Sequence, residues 1–518
     1  MNETNTSYRS IVKRALSGHA SLGLLGGALL YLIAITGSMI VVHDRWQRWE
    51  EPEIAETAVL SPDAAQASIP RALELEAGAP QTAHLYIRMP TEDLPRAVLT
   101  TDNKAWYVDG DGEIVGREAH SWTEFVMALH INLTLPIVWG MILVGALGVV
   151  LAALAITGVV AHPKIFKDAF RLRSRHDPQL ARADWHNRLG VWTLPFTIAV
   201  AMTGAYIGLS YAGAGVLGTA YEKGDIEPVY ATIFGDEPEI DPTPAPLPDI
   251  ARALEVVQTR FPETFPTYIV VHDPMTRGQF VQIIAEHPQR LVYGEVYSFD
   301  GDGIYLGKVG IGDGEIGRQA AASTYKLHFG DYGGIPVELA YILFGFALAA
   351  VTATGTTLWL RKRRRKGLPT ERMEAMWSVV VWGIPLDLVA MAWLRAAGGP
   401  DAPLVLCFWA MLAGGLALAA ARPALFSRDQ LRPLLGIALA GTAIAHSIAY
   451  LPQASGTWAI NAGMLLVAAI AMAPSARAFA ARRRKQLPQA DDGNPPCTRN
   501  LSHGHDLEKG IVPREAIE

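Results

Sequence analysis

The sequence predicts a polytopic α-helical membrane protein of about eight spans, with a duplicated four-helix core and two α+β units outside the bilayer. Three observations predict it. Half of the 518 residues are hydrophobic and only 18% are charged, the composition of a chain that lives in lipid but carries extramembrane portions. Eight apolar runs are long enough to cross a bilayer, and clusters of Lys and Arg stand beside them rather than among them. Two short phrases, each built on a histidine, occur twice at matching places along the chain.

Residues 1–43 hold a polar leader with Lys13 and Arg14 and then the first span, 19–43. Its apolar part, 22–42, is too long for the core of a signal peptide, so a retained span is expected. Residues 44–128 make the first outside unit. Within it, 62–76 reads as an amphipathic helix opened by Ser or Asp, and 83–89 and 96–101 read as strands. Residues 105–108 and 113–116 flank Asp109-Gly110-Asp111-Gly112 as a hairpin. Residues 129–210 hold the second and third spans, 133–161 and 186–209, joined by a loop bearing Lys164, Lys167, Arg171, Arg173, Arg175 and Arg182.

Residues 211–327 repeat the outside unit after a Pro-rich linker at 241–246. Helix is expected at 250–260, strands at 268–272 and 279–285, and a second hairpin at 297–307 around Asp300-Gly301-Asp302-Gly303. Residues 328–366 hold the fourth span, 335–360, which ends in Arg361-Lys362-Arg363-Arg364-Arg365-Lys366. Residues 367–480 carry four further spans, at 377–396, 403–421, 434–452 and 457–474. Residues 481–518 read as a polar, disordered tail. With eight spans every basic cluster falls on one side. That side is expected to be cytoplasmic, with both termini there and the two long units outside.

The net charge of −6 gives no reason for a nucleic-acid partner; the lipid bilayer is the expected surroundings. Cys407 and Cys497 are too few for a disulfide framework, and neither lies in a C-x-x-C-H motif for covalent haem. Nothing reads as G-x-G-x-x-G, and neither outside unit has room for a nucleotide-binding fold. An oxidoreductase built on this chain needs a separate electron donor.

The repeated phrases carry the chemistry. His19-Ala20-Ser21-Leu22-Gly23 and His186-Asn187-Arg188-Leu189-Gly190 both read His-x-x-Leu-Gly, and in both a Thr-Gly begins 17 residues after the histidine, at Thr36 and Thr203. Leu129-His130 precedes a run reaching Thr157-Gly158, and Leu327-His328 one reaching Thr354-Gly355. An imidazole in a bilayer is costly and marks function by default; at a span end it can also simply snorkel or bond a neighbouring helix. Four in matched pairs point to ligation. His19 and His186 open spans at one face, and His130 and His328 precede spans that begin at the other. Each pair can approach one haem iron from opposite sides, giving two b-type haems with bis-histidine ligation. Gly23, Gly26, Gly27 and Gly190 are expected to let a flat macrocycle approach the helices, or simply to allow close helix packing. His43 and His162 lack mates in the repeat, where Ser210 and Leu360 stand, so they are weaker candidates. His503 and His505 are expected to be solvated. A zinc site would need three or four converging ligands, and no H-E-x-x-H motif or embedded acidic group other than Asp387 offers them.

These phrases, together with Leu327-His328-Phe329-Gly330-Asp331-Tyr332-Gly333-Gly334, resemble the PepSY-associated transmembrane family over about residues 10–366. Its members are bacterial inner-membrane proteins, often iron-regulated, and include ferric-siderophore reductases. The resemblance implies PepSY-like periplasmic units, two haem b groups on His19, His186, His130 and His328, and electron transfer outward. The donor is expected to be a separate cytoplasmic reductase or a quinol, and the acceptor a ferric siderophore or another periplasmic oxidant. Two alternatives come from other classes: a non-enzymatic PepSY-type regulator of an envelope protease, and a siderophore permease.

Overall fold

The computed structural model describes residues 2–162, 164–169, 178–226, 228–229, 231, 241–287, 290–450 and 457–486. Eight of its helices are long and apolar enough to cross a membrane. Helix α1 (Asn2–Ile40) is followed by the short α2 (His43–Glu50). Helix α3 (Pro62–Leu75) starts where the sequence suggested: the Ser61 hydroxyl accepts from the Ala64 N–H at 3.2 Å, and Pro62 occupies the first turn. Strands β1 (His84–Arg88), β2 (Ala97–Thr101), β3 (Ala105–Val108) and β4 (Ile114–Arg117) complete the first unit. Then come α4 (Ser121–Asn132), α5 (Ile137–Ala161), the single turn α6 (Ile165–Asp168), α7 (Pro178–Trp192) and α8 (Leu194–Tyr221). The second unit repeats the first with α9 (Ile250–Arg260), β5 (Phe265–His272), β6 (Phe280–Glu286), β7 (Glu295–Phe299) and β8 (Tyr305–Lys308). Helices α10 (Ile316–Phe329) and α11 (Ile335–Arg365) then repeat α4 and α5. The loop residues Arg171, Arg173 and Arg175, and 487–518 with Cys497, His503 and His505, lie outside the described residues.

Two boundaries differ from expectation, and both move a histidine. The second span begins at Ile137, because α4 stops at Asn132 and the chain turns through left-handed backbone at Leu133 (φ 55°) and Thr134 (φ 57°) ahead of Pro136. His130 therefore rides a short helix of its own, and His328 rides α10, which ends at Gly330 (φ 76°). The third span begins at Leu194, since Pro195 cannot donate to the preceding turn and the helix breaks at Thr193. His186 is thus on α7. His19 has no such break; it lies within α1.

The strands form one antiparallel sheet in the order β4-β3-β2-β1-β5-β6-β7-β8. The two outside units, expected as separate α+β domains, share it. Each unit alone would leave β1 or β5 as an edge with a row of unpaired N–H and C=O groups. They satisfy each other instead, with Leu85 opposite Val271 and Ile87 opposite Ile269. Helices α3 and α9 cover one face, burying Ala65, Ile69, Leu254 and Val257 on the sheet's inner residues. Both Asp-Gly-Asp-Gly turns have the same geometry. Asp109 Oδ1 accepts from the Asp111 and Glu113 N–H groups, and Asp300 Oδ1 from those of Asp302 and Ile304, with Gly112 and Gly303 at φ 74° and 70°.

The core of the membrane part is α1, α5, α8 and α11. Helices α5 and α8 cross where a Cβ on Gly208 would lie 2.7 Å from Gly145 Cα, so only paired glycines permit the contact. After this core come α12 (Glu371–Ser378), which packs on α11, a π-helical turn (Val379–Gly383), which packs on α1, and then α13 (Ile384–Gly398), α14 (Leu404–Ala421), α15 (Arg428–Ala449) and α16 (Trp458–Gln486). Pro385 has no N–H for the Val381 carbonyl, and the Tyr31 hydroxyl donates to that carbonyl at 2.7 Å.

The shared sheet makes a prediction. Ile87 and Ile269 are fully buried across the β1–β5 seam. Ile87→Ala should cost about 2–5 kcal/mol and loosen both units together. Limited proteolysis should then cut both 44–120 and 241–315. Cleavage confined to the first segment, with the second intact, would show that the two units do not fold on a common core.

Candidate functional site

Each of the four histidines is seated in a socket of the same construction. His19 Nδ1 lies 3.0 Å from the Leu154 carbonyl and 3.3 Å from Thr157 Oγ1, and a Cβ on Gly158 would come within 3.2 Å of its ring. His186 Nδ1 lies 3.1 Å from the Val351 carbonyl and 3.1 Å from Thr354 Oγ1, with Gly355 beneath. His328 Nδ1 lies 3.0 Å from Thr203 Oγ1 and bonds the Val200 backbone, with Gly204 beneath. His130 Nδ1 lies 3.0 Å from the Ile33 carbonyl, with Gly37 beneath. In every case the carbonyl belongs to the residue three before the Thr of a Thr-Gly phrase. Thr36 donates to the Leu32 carbonyl at 2.8 Å and, unlike the other three threonines, makes no hydrogen bond with its histidine.

The sockets fix the tautomer. A carbonyl can only accept. The hydroxyls of Thr157, Thr203 and Thr354 already donate to the carbonyls of Ala153, Ala199 and Ala350, so towards imidazole they too accept. Nδ1 therefore carries the proton in all four rings, and Nε2 keeps its lone pair. No Nε2 of the four has a hydrogen-bond partner among the described residues.

The rings then pair across the repeat. His19 and His186 face each other with centroids 6.4 Å apart and planes at 79°; His130 and His328 do so at 6.1 Å and 35°. Every socket is built within one copy, whereas every pair takes one ring from each. A metal–imidazole bond is about 2 Å long and the ring centroid lies roughly 1 Å behind its nitrogen, so two rings on opposite sides of one metal sit about 6 Å apart. Among the described residues no group of three or more His, Cys, Asp or Glu gathers to hold a metal. A level offering two bare imidazole nitrogens suits a metal that brings its other ligands with it, and the residues fit a bis-histidine haem at each level. Seating the second imidazole N–H on a carbonyl is the usual way a ligand histidine is oriented and made more basic. From His19 to Gly37, beneath His130, α1 rises about 27 Å, so the levels stand near opposite ends of the core.

The glycines divide. Gly26 and Gly27 pack against Val150 and Thr356, which is helix packing. A Cβ at Gly190 would meet nothing within 4 Å, and one at Gly23 only Leu154 at 3.8 Å, so these two leave helix surface open. His43 is paired with Asp44 at 2.9 Å and joins neither level; His162 ends α5, apart from the pairs. The residues missed by the sequence reading are the socket partners. Thr157, Thr203, Thr354, Gly37, Gly158, Gly204 and Gly355 were visible as repeated Thr-Gly phrases but read only as the ends of apolar runs.

Between the sheet and α4 lies a polar belt. Glu118 takes Arg88 and His120, each at 2.8 Å. Burial pushes the Glu118 carboxyl up, but His120 and Arg88 outweigh it and hold it below the usual range. Burial pulls His120 down, and Glu118 outweighs that, raising it above its ordinary 6.5. Tyr86, Arg88, Val98, Thr100, Glu118 and Tyr268 line a cleft of about 210 Å³ on the face of the sheet away from α3 and α9.

Comparison with known proteins gives two findings. The model of the PepSY-associated TM region matches residues 16–362, ending before α12. An uncharacterized protein of Pseudomonas aeruginosa is 26% identical over 285 residues, covering 51% of this chain and 69% of the relative.

Two predictions follow from the geometry. Gly37→Ala and Gly204→Ala put a Cβ at 2.6 and 2.8 Å from an imidazole carbon and should each cost about 1–3 kcal/mol; Gly190→Ala should be neutral or slightly stabilising. Thermal melts in detergent would rank the three, and equal midpoints would mean the rings are not seated on those glycines. The belt should respond to pH. The raised His120 contributes stability fully below 6.5 and loses it as pH climbs through its folded value; the lowered Glu118 contributes above 4.5 and loses it on acidification. Amide protection at the start of α4 should therefore fall as pH rises above 6.5, and His120→Gln should flatten that dependence. A wild-type profile already flat over this range would remove the ion pair from the account.

Proposed function

This chain belongs to the family of the PepSY-associated TM region, and we propose that it is a di-haem b-type membrane oxidoreductase. In this reading it passes electrons from a separate cytoplasmic reductase or a quinol to an acceptor in the bacterial periplasm, with a ferric siderophore the favoured acceptor. One observation carries it: two levels of paired imidazoles with centroids 6.4 and 6.1 Å apart, each ring with Nδ1 on an acceptor and Nε2 without a hydrogen-bond partner among the described residues. His19 and His186 would hold one haem, and His130 and His328 the other. Bound there, a b-type haem supplies reversible one-electron chemistry within reach of both faces of the bilayer.

The rest is the work of this chain's own side chains. The threonine hydroxyls and helix carbonyls fix each imidazole's rotation and keep its proton on Nδ1. The glycines let the ring lie against helix backbone. Leu129 and Ala201, both fully buried or nearly so, keep water from the neighbourhood of the pairs. The cleft with Arg88, Tyr86 and Tyr268 gives a chelate of negative charge a cation and two aromatic rings to rest on. Reduction of ferric iron loosens its hold on hard oxygen donors, which releases the metal. The basic end of α11, with Lys362, Arg363, Arg364 and Arg365, supports an inner-membrane protein with both termini cytoplasmic and the sheet in the periplasm. A protease regulator has no need for two levels of matched imidazoles, and a permease would more often be built on broken helices with buried charge at midplane.

The test is the visible spectrum of the purified protein. A reduced-minus-oxidised difference of low-spin b haem, near two per chain, is expected. His19→Ala and His186→Ala should share one defect, His130→Ala and His328→Ala the other, and His43→Ala should keep both haems. The outer pair's variants should also lose reduction of an external ferric chelate. A colourless folded protein would sink the proposal, as would His328→Ala with two low-spin haems intact.

A further inference from the structure

The two helices that carry the outer histidines are held in different ways. Helix α10 ends at Gly330 (φ 76°) and runs on through Gly333 and Gly334, also at positive φ. Glycine adopts that backbone without strain. Helix α4 makes the same exit with Leu133 and Thr134 at φ 55° and 57°, where branched side chains resist. Something must hold that turn. Leu133 is buried, and the Trp409 indole N–H, from α14, donates to Thr134 Oγ1 at 2.8 Å.

The start of α4 is held from the same quarter. Glu50 accepts from the Trp122 N–H at 2.9 Å and from the Thr123 N–H and hydroxyl at 2.8 Å each, acting as an N-terminal cap supplied from α2. Arg395 of α13 pairs with Glu50 at 3.0 Å and donates to the Ala119 carbonyl. The Trp122 indole donates to the Leu388 carbonyl at 3.0 Å. Helix α10 has no side-chain cap at Glu315; Lys326 ties it instead to Glu286 of its own sheet. The region from α12 onward lies outside the repeat and beyond the matched family segment.

We propose that Trp409 and the Glu50–Arg395 pair are positioning residues for His130, and that the fifth and sixth spans act as a clamp on both ends of α4. The clamp sets the rotation and height at which His130 meets Gly37 and His328. There is little slack, since even a Cβ on Gly37 would lie 2.6 Å from the His130 ring. This rests on the reading of the four histidines as haem ligands, and it assigns the grip on α4 to the outer level of that site.

The test is Trp409→Phe in the full-length protein, read by hydrogen exchange and by electron paramagnetic resonance of the oxidised protein. Exchange across 121–134 should rise by about tenfold while 316–330 holds. One of two low-spin ferric signals should shift and the other stay. Adding Thr134→Gly to Trp409→Phe should bring both readouts back, because glycine takes the φ of 57° at that position without the indole to hold it. If Trp409→Phe does not fold, Glu50→Gln carries the same comparison. Unchanged exchange at 121–134, or an equal shift of both signals, overturns the clamp. A colourless protein whose α4 still loosens would keep the clamp and remove the haem reading; two haems with an unresponsive α4 would do the reverse.

Discussion

Everything in the membrane part depends on one contact: an imidazole N–H seated on a helix carbonyl three residues before a Thr-Gly. In a bilayer a helix carbonyl has no water to fall back on, so its second lone pair is available only to a neighbouring side chain. The threonine adds a second acceptor at the same spot, because its own proton is spent on the turn before. The glycine removes the only atom that would keep the ring away. Three adjacent positions thus define where the imidazole sits, which nitrogen bears the proton and which way the other points. The same three-part construction recurs at both ends of both copies, with the single exception of Thr36, whose hydroxyl makes no hydrogen bond with His130.

Outside the bundle the duplication meets a different constraint. Two meanders with exposed first strands cannot stand side by side in water without pairing, and the β1–β5 seam is that pairing. The sheet therefore ties the copies together on one side of the core, while the α5–α8 crossing at Gly145 and Gly208 ties them within it. Both joints fix the distance between α4 and α10, and so between His130 and His328. The inner pair has no sheet beside it; its spacing follows from α7 and α11 packing and from α1 lying against α11.

The spans, the hairpins and the four histidines were legible because each is a local signal: a long apolar run, an Asp-Gly-Asp-Gly turn, a phrase said twice. The sockets were half legible. Thr-Gly recurs at fixed distance from a histidine in the sequence, but the histidine it serves lies on another helix. His19 is followed by Thr36-Gly37 and is seated on Thr157-Gly158. Sequence spacing could find the phrases and not the exchange between them. The shared sheet was not legible, since β1 and β5 are separated by two membrane helices, α5 and α8, and carry no mark of a partner. The breaks at Leu133 and Thr193 were hidden for a similar reason: the apolar pattern runs through both, and only backbone geometry shows where helix stops.

A single copy would have every part of the construction and neither of the pairs. It could seat both of its imidazoles, each with its proton fixed and its second nitrogen bare, yet at either level only one nitrogen would point inward. Pairing two copies about a common axis supplies the missing nitrogen at both levels at once. Two sites nearly a bilayer apart then come from one packing event, and any shift of one copy against the other is felt at both. The clamp from α13 and α14 breaks that equivalence, because it grips α4 and leaves α10 to its own sheet. Duplication gives two like pairs; an appended unit that grips only one of the two outer histidine helices is a means of making them unlike, and in the proposed reading two unlike sites in series give electron flow a direction.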